Sequence, residues 1–101
     1  MQFVILAKDY TDDAALDRRM AARDAHLALS DEAVKRGEQL MGAAMLDADG
    51  KMVGSTMVVD FPTRADVDAW LAEEPYVTGD VWEFIEVLSC NIGPSFVKQA
   101  E

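Results

Sequence analysis

The sequence has one cysteine, one histidine and nine basic residues, and these small numbers exclude several classes of protein. A single cysteine, Cys90, cannot form an internal disulfide, and a chain without disulfides is typical of a reducing compartment. No apolar run approaches the roughly 18 residues that a membrane-spanning helix needs. The apolar start at residues 1–7 is short and has no basic region before it, unlike a secretory signal peptide. The expected location is therefore the cytoplasm.

Acidic residues outnumber basic residues by 19 to 9, which gives a net charge of −10. Affinity for nucleic acid comes largely from Lys and Arg side chains that neutralise phosphates, so most of this surface would repel a single strand or a duplex. The same repulsion acts at an anionic membrane. We therefore expect neither nucleic acid nor a membrane as partner. The acidity is explained by solubility and names no ligand.

The 101 residues suffice for one domain with one hydrophobic core, and no repeat, low-complexity tract or linker divides them. Hydrophobic periodicity predicts four strands and two helices. Thr11, Asp12 and Asp13 are candidate caps for the first helix, Gly37 stands where it should end, and Thr63 is a candidate cap for the second. The predicted elements are a strand over 2–7, a helix over about 13–36, strands over 38–46 and 52–61, a helix from 63 to about 73, and a strand over 81–88. An Asp-Gly turn joins the second and third strands. The second helix has Val67, Trp70 and Leu71 on its inner side.

This β-α-β-β-α-β order predicts a ferredoxin-like α+β fold, in which two helices cover one face of a four-stranded antiparallel sheet. The last predicted strand is apolar on both faces, because Phe84 and Leu88 alternate with Ile85 and Val87. A sheet with one solvated face should instead alternate apolar and polar residues. We therefore expect a second copy of the chain to cover the free face, which makes the protein a homodimer.

The first helix carries two neighbouring stripes at a spacing of about 100° per residue. One stripe, the predicted core face, consists of Leu16, Met20, Leu27 and Val34. The other contains the polar residues Arg19, Arg23, His26 and Ser30, flanked on its far side by Ala15, Ala22 and Leu29. Polar groups between apolar ones are expected to be partly desolvated, where hydrogen bonds and charges matter most. A break in the helix near Asp24 would rotate Arg19 relative to His26.

His26 is the chain's only histidine and has two interpretations. It is either a half-buried side chain satisfied by a neighbour, or a general acid/base oriented by a carboxylate. A metal site is not expected, because no second histidine stands at ligand spacing and Cys90 has no partner. No nucleotide-binding motif is present, so no cofactor is expected.

Three other features are candidates for the same site. Arg19 and Arg23 would hold a carboxylate or phenolate ligand through bidentate contacts, or else pair with acids of the chain. Glu74, at the end of the second predicted helix, is unfavourably placed against the helix dipole and needs a donor such as His26. The Gly-Ser pair at Ser55 would expose backbone amides, or would serve a close approach of two strands.

These residues also carry a resemblance to a known family. The segment from Arg19 to Leu27, with Arg23 and His26 inside it, resembles the RxxxRPAHL segment of YCII-related proteins. Gly42 matches the glycine of their AGP step, Gly54-Ser55 their GS pair, and Glu74-Pro75-Tyr76-Val77 with Val81-Trp82-Glu83 their DPY and GVY/W segments. The motifs occur in the family's order over nearly the whole chain.

The resemblance implies a ferredoxin-like dimer with a pocket near the sheet and a histidine–acid active pair, which here would be His26 and Glu74. It places Arg19, Arg23, Ser55 and Tyr76 as the substrate-binding residues of that pocket. Related members include a dehydrochlorinase acting on a chlorinated hydroxyquinol. The chain departs from the family where Glu74 replaces aspartate and where Asp24 and Ala43 replace prolines. The longer Glu74 side chain would move the carboxylate by roughly an ångström, which is enough to disturb a tuned pair.

Two functions remain open, and a third has weaker support. The first is an enzyme without a cofactor that carries out proton transfer or elimination on a small anionic aromatic or enol-like substrate. The second is a non-catalytic module that binds a small molecule in the same cleft. A purely structural dimer is supported only by the two-sided sheet.

Overall fold

The structure is a computed structural model that describes residues 1–96. This part of the chain contains β1 (Gln2–Asp9), α1 (Ala15–Lys35), β2 (Gln39–Leu46), β3 (Met52–Asp60), α2 (Arg64–Ala72), α3 (Pro75–Thr78) and β4 (Trp82–Cys90). The strands form one antiparallel sheet in the order β2-β3-β1-β4. The predicted ferredoxin-like α+β fold is therefore confirmed. The sequence does not predict the single turn α3, because four residues are too few to show a helical period.

The turns and caps follow local sequence signals in most places. Gly37 and Gly50 have φ values of 73° and 80°, a left-handed conformation that glycine adopts without a steric penalty. Thr63 caps α2 through a capping box with Asp66, whose backbone N–H donates to Thr63 Oγ1 while its carboxylate accepts from the Thr63 N–H. The cap predicted for α1 is wrong, because its N-cap is Ala14, which has no capping side chain. Asp12 instead accepts a hydrogen bond from the backbone N–H of Ala14 at 3.3 Å.

The core lies between the sheet and the helices. Its buried side chains come from β1, β3, α2, α3 and the start of β4, and include Phe3, Ile5, Met57, Val59, Val67, Trp70, Leu71, Tyr76, Val81 and Trp82. The predicted inner side of α2 is confirmed, since Val67, Trp70 and Leu71 are all buried there.

The predicted core face of α1 is wrong. Met20 and Val34 are 50% and 57% exposed, whereas Ala15, Arg19 and Ala33 are buried. Small alanines allow the helix to approach the sheet closely, and the buried Arg19 is neutralised there by a carboxylate. The helix is continuous through position 24, so the polar stripe stays in register, with Arg19 buried, His26 partly buried and Arg23 exposed.

The other face of the sheet has no helix over it. Val4 pairs with Leu88 and Lys8 with Phe84 on this face, and Phe84 and Leu88 are 54% and 44% exposed. The sheet is therefore apolar on both faces in the single chain. No helix within residues 1–96 is both long and apolar enough to cross a membrane.

Candidate functional site

A cleft of about 320 Å³ lies between α1 and the strands β2 and β3. One wall is the polar stripe of α1, and the opposite wall is the run of small residues 42–44 on β2. Ser55 and Met57 of β3 form part of the lining, and Tyr76 of α3 contributes to it as well. At Gly42 a Cβ atom would lie 3.0 Å from the side-chain nitrogen of Gln39, so a larger residue would crowd this wall. The cleft exists because β2 presents almost no side-chain volume to α1 at this point.

His26 and Glu74 meet beside the cleft. The distance between His26 Nδ1 and Glu74 Oε1 is 2.6 Å, and the two residues are 48 positions apart in the chain. The glutamate side chain is fully buried and the histidine side chain is 13% exposed. A carboxylate accepts a hydrogen bond from Nδ1–H, which assigns the proton to Nδ1 and leaves the Nε2 lone pair free. The extra methylene of Glu74 does not prevent the contact.

Glu74 is held in place by the short helix α3. As the N-cap residue of α3, it accepts a hydrogen bond at Oε1 from the backbone N–H of Tyr76, at 3.1 Å. Pro75 follows at the first helical position. Its missing N–H breaks no hydrogen bond there, because the N–H of that position has no acceptor within the helix. The same oxygen therefore accepts from α3 and from His26, so the cap of a one-turn helix also sets the position of the imidazole.

Tyr76 lies between two cationic or potentially cationic groups of α1. Its ring stacks on the His26 imidazole at 3.8 Å between centroids with 9° between the planes. The guanidinium carbon of Arg19 lies over the same ring, 4.7 Å from its centroid. Burial raises the pKa of Tyr76, against the opposing effect of Arg19 and Arg23. The phenol therefore stays protonated at neutral pH and remains a hydrogen-bond donor.

Arg19 anchors a buried polar network at the end of the cleft. Its Nη1 donates to both carboxylate oxygens of Asp9, at 2.8 and 2.9 Å, and its Nη2 donates to Ser55 Oγ at 3.0 Å. Trp82 Nε1 also donates to Ser55 Oγ, at 3.2 Å. Arg19 and Trp82 therefore occupy both lone pairs of Ser55 Oγ. The only hydrogen bond left to the hydroxyl is one in which it donates its own hydrogen. Ser55 lines the cleft, so that hydrogen is available to an acceptor atom of a ligand.

Two members of this network were not foreseen from the sequence. Asp9 continues the inward-facing alternation of Phe3, Ile5 and Ala7 along β1, and this alternation would have placed its carboxylate on the inner face. Burial raises the pKa of Asp9, while the hydrogen bond and charge of Arg19 act against the rise. Trp82 had been noted only as part of a motif. Its hydrogen bond depends on the pairing of β4 with β1, which no local signal predicts.

Arg23 differs from Arg19 in having no carboxylate partner. It lines the cleft, and within residues 1–96 it takes part in no ion pair. Arg19 is neutralised by Asp9, so Arg23 is the cation that remains available at this site. Arg23 therefore adds a cationic group to the cleft wall of a chain whose net charge is −10.

Comparison with known proteins shows the family of the chain. The YCII-related domain matches residues 1–91. The chain belongs to the YCII family. The protein YciI of Escherichia coli O6:H1 is 31% identical over 93 residues, which cover 86% of this chain and 93% of that protein.

Two solved structures show that other proteins share the fold of this YCII domain. The first is 5-chloro-2-hydroxyhydroquinone dehydrochlorinase from Burkholderia phenoliruptrix AC1100 in complex with 2,5-dihydroxybenzoquinone. It superposes with a TM-score of 0.81 at 22% identity, over 94% of this chain and 98% of that one. A protein from Mycobacterium tuberculosis superposes with a TM-score of 0.57 at 15% identity, over 92% of this chain and 98% of that one.

The polar groups of the YCII cleft define the chemistry that it can support. His26 offers a basic nitrogen, while Ser55, Tyr76 and Arg23 offer hydrogen-bond donors. Within residues 1–96, no group of three or more His, Cys, Asp or Glu side chains is arranged to hold a metal ion. The arrangement suits removal of a proton from a bound molecule whose resulting negative charge is then held by donors.

Proposed function

We propose that this YCII protein binds a small anionic phenol, quinone or enol in the cleft and transfers a proton between that molecule and His26. The observation that carries the proposal is the 2.6 Å contact between His26 Nδ1 and the fully buried carboxylate of Glu74. A buried carboxylate at this distance stabilises the imidazolium that forms when Nε2 accepts a proton. The pair therefore supports general acid/base chemistry without a cofactor.

The substrate's negative charge is held by the donors around the base. Ser55 donates its hydroxyl hydrogen because its lone pairs already accept from Arg19 and Trp82. Arg23 supplies the unpaired positive charge of the cleft. Such donors, fixed before the reaction, stabilise a developing oxyanion without reorganisation. Tyr76 forms a flat surface against His26 and adds a neutral phenol donor.

The reaction class we propose is proton transfer or elimination of the lyase type. In an elimination, His26 takes the proton of one substrate hydroxyl, and the ring carbon that bears the halide gains a proton as the ring passes into its keto form. Loss of a proton from a second hydroxyl of the ring then expels the halide from that carbon and leaves a quinone. The net change is loss of one hydrogen halide, which needs no external oxidant or reductant. The structural neighbour that is named a dehydrochlorinase, with 2,5-dihydroxybenzoquinone bound, supports quinols and quinones as the first substrate class to test.

We further propose that the protein acts as a homodimer in the reducing cytoplasm, with neither nucleic acid nor a membrane as partner. The open face of the sheet exposes Phe84, Leu88 and Met41 at 54%, 44% and 46%. Met41 pairs with Val58, Val58 with Val4 and Val4 with Leu88, so an apolar row crosses the sheet on this face. Contiguous apolar surface on a small domain is characteristic of an interface. A second copy would cover it through the same residues on both chains.

Substitution of His26 tests the proposed chemistry most directly. In the His26→Gln variant, the amide can still bond to Glu74 but cannot accept a proton, so any turnover found in a screen of halogenated quinols should fall by about 10²–10⁴-fold. Halide release and quinone absorbance report turnover. Circular dichroism and sedimentation check that the variant keeps its fold and its assembly state.

A binding experiment separates the enzyme from a non-catalytic module. If 2,5-dihydroxybenzoquinone binds the wild type and His26→Gln equally and no halogenated quinol is turned over, the cleft is a binding site without acid/base function. Persistence of turnover in the variant would show that His26 is not the base. Arg23→Gln is the companion variant, in which loss of the unpaired cation should weaken binding of the anionic quinone in a salt-dependent manner.

A further inference from the structure

The cleft extends well beyond the His26–Glu74 pair. Its lining on α1 runs from Arg19 to Val34, and the 15 steps between these residues correspond to about 22 Å of helix at 1.5 Å per residue. The opposite wall runs antiparallel, because Ala44 pairs with Ser55 at the Arg19 end while Gln39 opens β2 shortly after α1 ends. The site is therefore a trough, with the polar network at one end.

The two halves of the trough differ in their chemistry. The lining residues of α1 that carry or can accept a positive charge, Arg19, Arg23 and His26, all come from the half nearer the start of the helix. The other half contains, beside the polar residues Ser30 and Gln39, large apolar side chains that remain open in the single chain. Leu27, Val34 and Leu40 are 39%, 57% and 42% exposed. Single exposed apolar residues are ordinary on a protein surface, but three along one cleft, continuous with a set of ligand donors, form a binding surface.

We propose that this apolar half binds a hydrocarbon chain carried by the anionic ring, so that the substrates are alkyl- or acyl-substituted phenols, quinones or enols. This inference rests on the proposed function, since the ring must first be held by the donors near Arg19 and His26. The volume of about 320 Å³ lies at the lower end of the range of roughly 300–1,000 Å³ for small-molecule sites. One six-membered ring leaves the half between Leu27 and Val34 empty, whereas a chain of several carbons attached to the ring would cover the exposed side chains.

The position of His26, the proposed base, favours a substrate whose ring lies at the polar end of the trough and whose hydrocarbon chain lies at the apolar end. His26 and Leu27 are consecutive in α1, so the boundary between the polar and apolar halves falls next to the imidazole. A substituent on the ring that points away from Ser55 would pass Leu27 and reach Val34 and Leu40. The length of that substituent, rather than the ring alone, would then set specificity.

A homologous series of ligands tests the inference. The probes are 2,5-dihydroxybenzoquinones carrying an unbranched 3-alkyl chain from methyl to octyl, measured by calorimetry on the full chain. Affinity should rise about twofold per methylene, roughly half of the free energy of complete burial, and should level off when the chain passes Val34. Each alkylated probe should be displaced by the unsubstituted quinone, which excludes binding elsewhere on the surface.

Two leucines of β2 provide matched variants. Leu40 lines the trough and Leu46 does not, although both are exposed, at 42% and 60%. Leu40→Ser should flatten the dependence of affinity on chain length, whereas Leu46→Ser should leave it as in the wild type.

If the unsubstituted quinone binds but affinity is independent of chain length, the inference fails and the proposed function stands. If no member of the series binds, both fail. If Leu40→Ser preserves the dependence but changes the sedimenting mass, the apolar half is an interface between chains, which also overturns the inference.

Discussion

Arg18 and Arg19 are neighbours in the sequence and each binds an aspartate, but the two ion pairs lie in opposite environments. Arg18 donates to both oxygens of Asp12 at 2.8 Å, on a surface where the side chains are 32% and 51% exposed. Arg19 donates to both oxygens of Asp9 at nearly the same distances, but its side chain and that of Asp9 are 3% and 6% exposed. Arg18 uses both terminal nitrogens and Arg19 only Nη1, but the distances are alike, so burial is the main difference between the two pairs. We therefore expect the buried pair to affect stability more when one partner is removed.

The pKa values of the two aspartates shift in opposite directions because Asp12 is exposed and Asp9 is buried. The hydrogen bond from Arg18 lowers the pKa of Asp12 from 3.8 to about 2. Burial raises the pKa of Asp9 in spite of Arg19. For Asp12, the stabilisation is present above pH 3.8 and is lost as the pH falls toward 2.

The largest loss of stability is expected when the buried pair of Arg19 and Asp9 loses one of its charges. Asp9→Asn leaves the Arg19 guanidinium buried without a counter-charge, which should lower the free energy of unfolding by about 3–5 kcal/mol. Urea denaturation monitored by tryptophan fluorescence measures this loss, and a variant too unstable to purify agrees with it. A loss below about 1 kcal/mol would mean that water reaches Arg19 and that the pair is not buried in solution.

Removing both charges should be less harmful than removing one. The double variant Asp9→Asn, Arg19→Met no longer buries an unpaired charge, so it should be more stable than Asp9→Asn alone by about 1–3 kcal/mol. The same urea titrations complete the double-mutant cycle. Strictly additive effects would show that the two side chains do not interact. The double variant should nevertheless bind quinones poorly, because Ser55 and Tyr76 both contact Arg19.

The smallest loss of stability is expected when the exposed pair of Arg18 and Asp12 is broken. Asp12→Asn should shift the urea midpoint far less than Asp9→Asn, and the shift should vanish in 1 M salt, where the Debye length is about 3 Å. In the wild type, the carboxyl carbon of Asp12 should titrate near pH 2 by NMR. A midpoint near 3.8 would show that the pair with Arg18 does not persist in solution, and the contrast with Arg19 would then rest on burial alone.

The sequence predicted the fold more completely than the orientation of α1. Period-2 and period-3.6 patterns, the Asp-Gly turn and the Thr63 cap were sufficient for the order of strands and helices. The same patterns assigned Met20 and Val34 to the core, because a helical stripe of large apolar residues normally faces inward. This chain instead directs alanines and Arg19 inward, since Asp9 neutralises the arginine and the small side chains permit close packing.

The candidate site was only partly predictable. His26, Glu74, Arg19, Arg23, Ser55 and Tyr76 were selected from spacing and family resemblance, and the folded chain brings them to one cleft or directly behind it. Asp9 and Trp82 were missed. Their roles depend on bonds across 10 and 27 residues, which strand pairing and helix packing create. Helix α3 was missed because its single turn is stabilised by the Glu74 cap rather than by its own length.

The amino-acid sequence by itself determined which segments become strands and helices, because hydrophobic periodicity, glycine turns and caps act locally. It also determined the family and the acidic surface. Only the tertiary structure decided that Arg19 is buried against Asp9, that Ser55 becomes a donor, and that the cleft has a polar and an apolar half. These properties depend on desolvation and on contacts between distant segments, which exist only once α1 has packed on the sheet.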